Sequence, residues 1–535
     1  MSTIKGYMTH KEEWVYPDVE LCQLEQEVSL TMAQNSRRGI QFVVECGEQS
    51  LEIAINGAVE YEIFQMIPIP VEYNTISDEA QGGQFVMLDY TLPKPANSTR
   101  KAPFEVYDCL KPVGHHIPSQ EGKCAFYITL QPNKGVGTTC AADIQLKVGN
   151  EVHTTKVNMK VYPVSIPEEK LQITNWFHLE NMAKYHNVNY GSTEHLEMIR
   201  KYARAMKRMR QTHFFISIDE RCIQDKESWQ FDFSYLKPII EIFFDEGLQT
   251  MELGYIATRS PHYVGKDFNF VLDNTLSLES TEGYLVMNKY LKAIKKFLEE
   301  NKWGERVIFH ISDEPDVHTS DANVIEERKK TYYMIASQLR KHISGVKVIE
   351  AVATSGFKGG IDIWVPLSAS YENQKEAFDQ LIDNGEEVWN YVCCSPGGAY
   401  LNRFLDFELI RNRLLFWGCS AYKLSGFLHW GFNMYLYDMD PFKTTSCHND
   451  TGLGTNFPCG DAFIVYPGEG EPWISMRLEA QRRGAEDCEL LNLLREKDMV
   501  AYNEIISHVF KSNQEYLSNT NEFELWYERL LCALN

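Results

Sequence analysis

The stretch RVIFHISDEP, residues 306–315, decides how the rest of this chain can be interpreted. Its apolar run Val307–Phe309 lacks polar alternation, which is typical of a buried parallel strand. The run then leads into Asp313 and Glu314, and the following Pro315 predicts extended geometry for Glu314. Two carboxylates are costly in mid-strand, but at the carboxyl end of a barrel strand they face a cavity and are typical of catalysis. The alternative is an acidic exit from a strand into a solvated loop.

From residue 170 onward, short apolar strands alternate with amphipathic helices, one of which has Ser192 as its predicted N-cap. Strict alternation predicts parallel strands, and eight of them predict a (β/α)8 TIM-type barrel. The eight predicted strands are Ile173–His178, His213–Ile218, Met251–Ile256, Arg306–Pro315, Lys347–Val352, Asp362–Leu367, Glu387–Cys393 and Gly426–Phe432.

The first 165 residues have a different pattern, because short β-branched and aromatic runs are separated by loops rich in Gly, Pro, Asn and Ser. This pattern predicts an all-β sandwich. We therefore divide the chain into an N-terminal β-sandwich domain (1–165), a catalytic barrel (166–497) and a helical C-terminal extension (498–535). The predicted sandwich strands are Ile40–Glu45, Leu51–Ile55, Val59–Ile69, Cys124–Leu130, Ile144–Val148 and His153–Val161.

The composition excludes several classes of partner. The formal net charge of −22 argues against binding to nucleic acid, which requires clustered Lys and Arg. No apolar run approaches the length of about 20 residues that a membrane-spanning helix needs, so we expect no membrane insertion. The 13 cysteines are scattered without a disulfide pattern and the N-terminus has no leader-like apolar segment, so we expect a reducing cytoplasmic location. The sequence does not indicate an oligomeric state.

Aromatic and polar residues accumulate where the predicted strands open onto the active face. Flat aromatic faces stack on sugar rings, although Trp in a strand is equally typical of an ordinary core. His310, inside the central motif, is either a site residue or a satisfied core histidine. The candidates for substrate binding are Trp176, His178, His310, Trp364, Trp389, Tyr391, Trp430, Asn433 and Tyr435.

Other chemistry has little support in the sequence. There is no Gly-rich phosphate loop, no H-E-x-x-H motif and no G-x-S-x-G motif. The acidic side chains and His310 of the motif could in principle hold a metal ion, but neighbouring residues of an extended segment point apart and form a poor cage. We expect no metal and no cofactor.

The combination of several motifs resembles glycoside hydrolase family 123. These are SDEP at the fourth barrel strand after a β-sandwich, GFLHWGFNMY (426–435), GDAFIVYPG (460–468) and ISMRLEAQRRGAEDCELL (474–491). The resemblance covers nearly the whole chain and is strongest between residues 306 and 491. It implies a retaining β-N-acetylgalactosaminidase that acts on an oligosaccharide or glycoconjugate. By the same resemblance, Asp313 matches the family's acetamide-orienting Asp and Glu314 its acid/base Glu.

The implied mechanism suits two adjacent carboxylates. The 2-acetamido oxygen of the sugar attacks the anomeric carbon and forms an oxazolinium ion, so the enzyme needs no carboxylate nucleophile of its own. Asp313 would steer the acetamide, and Glu314 would protonate the leaving oxygen and then activate water. Two alternatives stay open: a glycosidase for another sugar such as β-N-acetylglucosamine, and a non-catalytic carbohydrate-binding barrel.

Overall fold

The barrel is the larger part of the computed structural model, which describes residues 4–76, 85–135, 137–259, 265–317, 319–449 and 456–535. All eight predicted barrel strands form, and their hydrogen-bonded neighbours run parallel. In chain order they are β1 Gln172–Asn175, β2 His213–Ser217, β3 Thr250–Gly254, β4 Val307–Phe309, β5 Lys347–Val352, β6 Ile363–Pro366, β7 Glu387–Tyr391 and β8 Gly426–His429.

The eight strands form one nearly closed sheet in the order β1-β8-β7-β6-β5-β4-β3-β2. At the seam between β1 and β2, the Thr212 N–H donates to the Ile173 carbonyl at 3.0 Å. The Ile173 N–H in turn donates to the Thr212 hydroxyl at 2.9 Å. The predicted TIM-like architecture is therefore confirmed as a nearly closed parallel barrel. Strand β4 is shorter than predicted, because residues 310–315 leave the sheet as a loop.

The helices between these strands cover the outside of the barrel. Ser192 caps its helix as predicted, because its hydroxyl accepts the His195 N–H at 3.2 Å. Gly247 follows another helix with a positive φ of 90°, which a glycine adopts without strain. The helices are Leu179–Lys184, Thr193–Arg208, Lys237–Asp245, Thr281–Asn301, Ala322–His342, Ser368–Asn373, Lys375–Asp383, Ile410–Ala421 and Met476–Lys497.

The N-terminal region consists of two packed sheets, consistent with the predicted sandwich. An apolar core lies between them and includes the stacked rings of Phe42 and Phe126, whose centroids are 4.9 Å apart. One sheet has five strands in the order His116–Ile117, Leu51–Gly57, Thr139–Val148, Glu151–Tyr162 and Glu27–Ala33. The other has the order Cys22–Gln23, Lys5–Thr9, Arg38–Glu45, Lys123–Pro132, Val59–Val71, Phe104–Pro112, Pro472–Ser475 and Tyr466–Pro467.

The last two strands of that sheet come from the C-terminal part of the chain, so the sequence-derived boundary at residue 165 does not separate the two regions cleanly. Ile474 and Ser475 pair with Leu110 and Cys109 in an antiparallel register. The C-terminal extension contains the helices Met499–Val509 and Thr520–Leu534, with a small hairpin, Phe510–Ser512 and Glu515–Tyr516, between them. Smaller sheets are formed by Asn74–Thr75 and Val86–Met87, by Ile223–Asp225 and Gln230–Phe231, and by Ala257–Arg259, Phe268–Phe270 and Asp273–Ser277.

A buried ion network joins the N-terminal region, the barrel helices and the C-terminal extension. Glu12 accepts a 2.9 Å hydrogen bond from Arg413 and also pairs with Arg483. Arg38 donates to Glu524, in the last helix, at 3.0 Å. Burial raises the pKa of Glu12, but Arg483, Arg413 and Arg38 outweigh that effect and lower it to about 2. Glu12 is therefore ionised and depends on its arginine partners.

Candidate active site

Asp313 and Glu314 lie on the loop that follows β4, at the carboxyl end of the barrel. Strand β4 is fully buried, whereas both carboxylate residues are half-buried. This is the end of the barrel at which the loops of parallel β/α units converge. The structure thus places the two acids where a ligand can approach them from outside the barrel.

The backbone at Glu314 is not extended, which corrects the prediction drawn from Pro315. Its φ is 46°, in the left-handed region that non-glycine residues rarely adopt. Its carbonyl accepts hydrogen bonds from Arg259 Nη2 at 3.0 Å and from the Val317 N–H at 3.2 Å. The tight turn and the buried arginine therefore outweigh the local preference of a residue before proline. Such strain persists only where the surroundings enforce it and is concentrated at functional sites.

The side chain of Tyr391 contacts the Glu314 carboxylate directly. It ends β7, is 6% exposed, and donates a 2.5 Å hydrogen bond from its hydroxyl to Glu314 Oε1. Burial and the charge of Glu314 raise the pKa of Tyr391 well above its ordinary value. Tyr391 is therefore a neutral donor that orients this carboxylate.

The loop that carries the two acids is held on several sides by buried charged groups. Asp316 accepts the N–H groups of Ala353 and Thr354 at 2.9 and 2.7 Å. Arg328 donates to the carbonyls of Pro315 and Val317 at 3.3 and 2.8 Å. Both Asp316 and Arg328 are buried. These bonds fix the loop to the end of β5 and to the helix Ala322–His342.

His310 lies below this loop inside the barrel, between two fully buried carboxylates. Its Nε2 is 3.0 Å from Glu252 Oε2, which also accepts the indole N–H of Trp176 at 3.1 Å. Its Nδ1 is 3.9 Å from Glu350 Oε2. Burial lowers the pKa of His310, but the hydrogen bonds and charges of Glu252 and Glu350 outweigh it and raise the pKa to about 9. The imidazole is therefore protonated near neutral pH and is not exposed to a sugar.

Gly254, at the end of β3, is required by this packing. A Cβ at that position would lie 2.9 Å from the Cβ of His310 and 3.0 Å from the ring of Phe215. Both distances are shorter than ordinary carbon contacts. The glycine therefore allows β3 to approach the residue that begins the catalytic loop.

Three predicted tryptophans lie on barrel strands or directly after one, where they face either the interior of the barrel or the surrounding helices. Trp176 and Trp389 point into the barrel interior and are 7% and 0% exposed. Trp364 faces outwards instead, because Ile363 and Val365 on either side of it in β6 face inwards. Its indole N–H donates to Glu386 at 2.7 Å. The buried Trp364 and Trp389 therefore do not reach the mouth, in contrast to the sequence-based expectation.

Asn433 and Tyr435 also have structural partners that account for them. The side chain of Asn433 is fully buried, accepts the His178 N–H at 2.8 Å and donates to the His178 carbonyl at 3.1 Å. Tyr435 is buried and donates to the Val465 carbonyl at 2.8 Å. These two residues join the segments after β1 and β8. Both side chains are engaged by protein groups, and their contact with sugar stays a prediction.

Trp430 and His178 stay accessible at the carboxyl end. Trp430 is half-buried, and its ring lies 5.0 Å from that of Phe457 between centroids. The side chain of His178 is 51% exposed. The partly buried residues that pack on the barrel interior and line its mouth are mainly apolar, namely Tyr255, Leu367, Cys393, Trp430 and Met434. The acids therefore lie beside an apolar wall, which suits the apolar face of a sugar ring.

Sequence reasoning missed the supporting residues Glu252, Glu350, Arg259, Asp316 and Arg328. For the two glutamates a signal was present, because each is a single carboxylate inside an otherwise apolar strand, MELG and KVIEAV. A buried carboxylate needs a partner, so such a residue indicates a network inside the barrel. For the two arginines no local pattern was available, because their acceptors are backbone carbonyls of other segments.

Two further properties concern the part of the chain that the structure describes. In it, no group of three or more His, Cys, Asp or Glu side chains is arranged to hold a metal ion. None of its helices combines the length and the apolar character needed to span a bilayer.

Comparison with known proteins gives matches to carbohydrate enzymes. The model of the glycoside hydrolase 123 catalytic domain matches residues 176–494, more than half of the chain. A family 123 glycoside hydrolase from Clostridium perfringens, studied for glycolipid glycan hydrolysis, superposes with a TM-score of 0.71 at 13% identity, covering 99% of this chain and 97% of that one. A family 39 glycoside hydrolase from Bacteroides cellulosilyticus matches with a TM-score of 0.37 at 10% identity, covering 86% and 81%. No curated protein sequence matches.

The barrel and the family match define the class of this protein, a glycosidase with a glycan as its substrate. The chain belongs to glycoside hydrolase family 123. The superposition on the C. perfringens enzyme over nearly the full length of both chains supports the same arrangement of N-terminal sheets and barrel.

Proposed function

We propose that this glycosidase removes non-reducing terminal β-linked N-acetylgalactosamine from glycans or glycolipid-type oligosaccharides, with retention of configuration. The observation that carries the proposal is the position of Asp313 and Glu314. They are consecutive, half-buried and held on a clamped loop at the carboxyl end of a parallel barrel. The C. perfringens relative, described for glycolipid glycan hydrolysis, supports this class of substrate.

In the proposed mechanism the substrate supplies the nucleophile. The acetamide oxygen attacks the anomeric carbon while Glu314 gives a proton to the leaving oxygen, and water assisted by Glu314 then opens the oxazolinium ion. Asp313 orients the acetamide and stabilises the charge that develops on its nitrogen. Tyr391 holds the Glu314 carboxyl through its 2.5 Å hydrogen bond.

The surrounding carboxylates support substrate assistance. An ordinary retaining glycosidase places a nucleophilic carboxylate about 5–5.5 Å from the acid, on the other side of the anomeric carbon. Glu252 and Glu350, which point into the barrel on β3 and β5, are fully buried. They are occupied by His310 and Trp176, and by backbone N–H groups, respectively. Neither of them is available to attack a sugar.

The accessible residues at the mouth supply the proposed sugar contacts. Trp430 offers a partly exposed aromatic face and His178 an exposed imidazole, whereas Tyr391 is buried and acts through its hydrogen bond to Glu314. The proposed steps use carboxylates and the amide of the substrate, so we infer that no metal or cofactor takes part. Cys46, Cys109 and Cys488 are buried free thiols, which supports the inference of a reducing, cytoplasmic location.

A screen of aryl β-glycosides tests the proposal. We expect turnover of the aryl β-N-acetylgalactosaminide and essentially none of the plain β-galactoside. Asp313→Asn should lose at least about 10²-fold on the aryl substrate, and Glu314→Gln should lose at least about 10²-fold on a substrate with a sugar leaving group. A preference for β-N-acetylglucosaminide would favour the alternative sugar. Saturable binding without turnover by the folded wild-type protein would favour a carbohydrate-binding barrel and contradict the proposal.

A further inference from the structure

Glu350 is hydrogen-bonded directly to the backbone that leads into the catalytic loop. It lies on β5, is fully buried, and its Oε1 accepts the N–H groups of Ile311 and Ser312 at 2.7 and 2.9 Å. The Tyr332 hydroxyl donates to the same oxygen at 3.2 Å. Ile311 and Ser312 immediately precede Asp313, so a single carboxylate oxygen binds the backbone at the start of the catalytic pair.

His310 faces the second carboxylate oxygen of Glu350, Oε2. Its Nδ1 lies 3.9 Å from Glu350 Oε2, and the opposite ring nitrogen contacts Glu252. A buried carboxylate is costly unless it is paired and hydrogen-bonded. The Ile311 and Ser312 N–H groups and the Tyr332 hydroxyl donate to Oε1, whereas Oε2 faces the His310 ring at 3.9 Å. The buried Glu350 carboxylate therefore depends on residues 310–312 keeping their position beside it.

The loop also requires a restraint, because Glu314 has a φ of 46°. A non-glycine residue in this region is strained, and the loop relaxes unless neighbouring contacts hold it. Arg259 binds the Glu314 carbonyl at the end of the catalytic pair. Glu350 binds the N–H groups of Ile311 and Ser312, which come directly before the pair. The two contacts act on opposite ends of the catalytic pair.

We propose that Glu350 is a positioning residue for the glycosidase reaction: through the Ile311 and Ser312 N–H groups it fixes the loop so that the Glu314 carboxyl faces the leaving oxygen. This inference rests on the proposed role of Glu314 as the general acid. It concerns placement of the acid and not contact with the substrate, since Glu350 is completely buried.

The test compares Glu350→Gln and Glu350→Ala on two β-N-acetylgalactosaminides, one with a 2,4-dinitrophenyl leaving group and one with a sugar leaving group. The dinitrophenyl group leaves with little acid assistance, whereas the sugar needs Glu314. In Glu350→Gln the amide oxygen still accepts the two N–H groups without charge assistance, so we expect roughly a 10-fold loss of kcat on the sugar substrate. In Glu350→Ala the restraint is lost, and we expect a loss of roughly 10²-fold or more with little change in KM.

Asp406→Asn is the matched control. Asp406 is fully buried and likewise holds a loop, because it accepts the Thr75 N–H at 2.8 Å and the Ser98 hydroxyl at 2.7 Å. Its loop belongs to the N-terminal region. We expect this variant to have a lower Tm with kcat/KM unchanged on both substrates. Glu350→Gln keeps the test decisive if Glu350→Ala does not fold.

If Glu350 positions the acid, its variants should lose at least about 10-fold more kcat/KM on the substrate with the sugar leaving group than on the dinitrophenyl substrate. Glu314→Gln should show a difference in the same direction. Equal losses on both substrates in the Glu350 variants, while Glu314→Gln discriminates between them, would overturn the positioning role and leave the proposed function intact. Equal losses in Glu314→Gln itself would instead show that the proposed function fails.

Discussion

The hydroxyl of Tyr391 donates a 2.5 Å hydrogen bond to Oε1 of Glu314, although the two residues are 77 positions apart in the chain. The bond connects the end of β7 to the loop after β4, and these strands are not neighbours in the sheet. Two sides of the barrel mouth therefore determine the orientation of one carboxyl. A general acid needs this kind of restraint because it must face the leaving oxygen when the bond breaks.

Tyr391→Phe is expected to lower kcat/KM by roughly 10- to 100-fold, because a hydrogen bond to a charged group contributes about 1.5–3 kcal/mol. Steady-state kinetics with a β-N-acetylgalactosaminide that has a sugar leaving group measure this loss. The matched control is Tyr466→Phe, which removes a buried tyrosine hydroxyl that donates to Asp108 at 2.6 Å. Wild-type kinetics in Tyr391→Phe, or the same loss in both variants, would show that Tyr391 does not orient the acid.

Stability should decrease with rising pH because of His310. Its pKa is raised from 6.5 to about 9 in the folded protein, so the protonated form contributes stability that is complete below pH 6.5 and is lost as the pH rises through about 9. The contribution is about 3 kcal/mol at most. Denaturant titrations of wild type and His310→Gln between pH 6.5 and 9 measure it, since only the wild type should carry this decline. Parallel stability curves would mean that His310 is not protonated between its carboxylates.

Replacement of Glu12 by Gln should destabilise the whole chain. The variant removes one of the carboxylates that Arg413 and Arg483 share, although both keep Glu524 and Arg413 keeps Asp487. Breaking a buried pair costs about 3–5 kcal/mol, and the remaining partners should reduce the loss. The control Glu52→Gln breaks an exposed ion pair with Lys147, which contributes little to stability because water screens it. Urea unfolding gives both values. If the free energy of unfolding falls no more in Glu12→Gln than in the control, the network does not stabilise the contact between the N-terminal region and the barrel.

Chelation should leave activity unchanged, because the proposed steps use carboxylates and the acetamide of the substrate and include no Lewis acid. Activity is measured after incubation with EDTA and again after addition of divalent ions. A loss with EDTA that a divalent ion restores would contradict this prediction.

The parts of the fold that follow from local pattern were predicted from the sequence. The eight barrel strands lie where the apolar runs occur, and the helix Thr193–Arg208 begins directly after its predicted N-cap, Ser192. The pairing of Pro472–Ser475 with Phe104–Pro112 could not be predicted, because sheet pairing between distant segments leaves no local signal. The positive φ of Glu314 could not be predicted either, since Arg259, which binds the Glu314 carbonyl, lies in the distant strand Ala257–Arg259.

The candidate site was predictable in its acids but not in its sugar contacts. Asp313 and Glu314 follow an apolar strand, and this is visible in the sequence. Whether a strand residue faces the barrel interior, as Trp389 does, or the helices, as Trp364 does, depends on register. Among residues that face inwards, the distance from the carboxyl end of the strand then decides whether a side chain reaches the catalytic loop. Trp389 lies deep in the barrel, whereas Tyr391, two residues later on the same face, reaches Glu314.

The central claim is that the acetamide of the substrate is the nucleophile. It is tested most directly with aryl β-N-acetylgalactosaminides whose acetyl group carries zero, one, two or three fluorine atoms, under conditions in which bond cleavage is rate-limiting. Each fluorine withdraws electrons from the carbonyl oxygen, so we expect kcat to fall steeply along the series, and Asp313→Asn to cost on the order of 10²–10³-fold with the unfluorinated substrate. A flat rate across the series would contradict substrate assistance and would require a second carboxylate of the enzyme as the nucleophile.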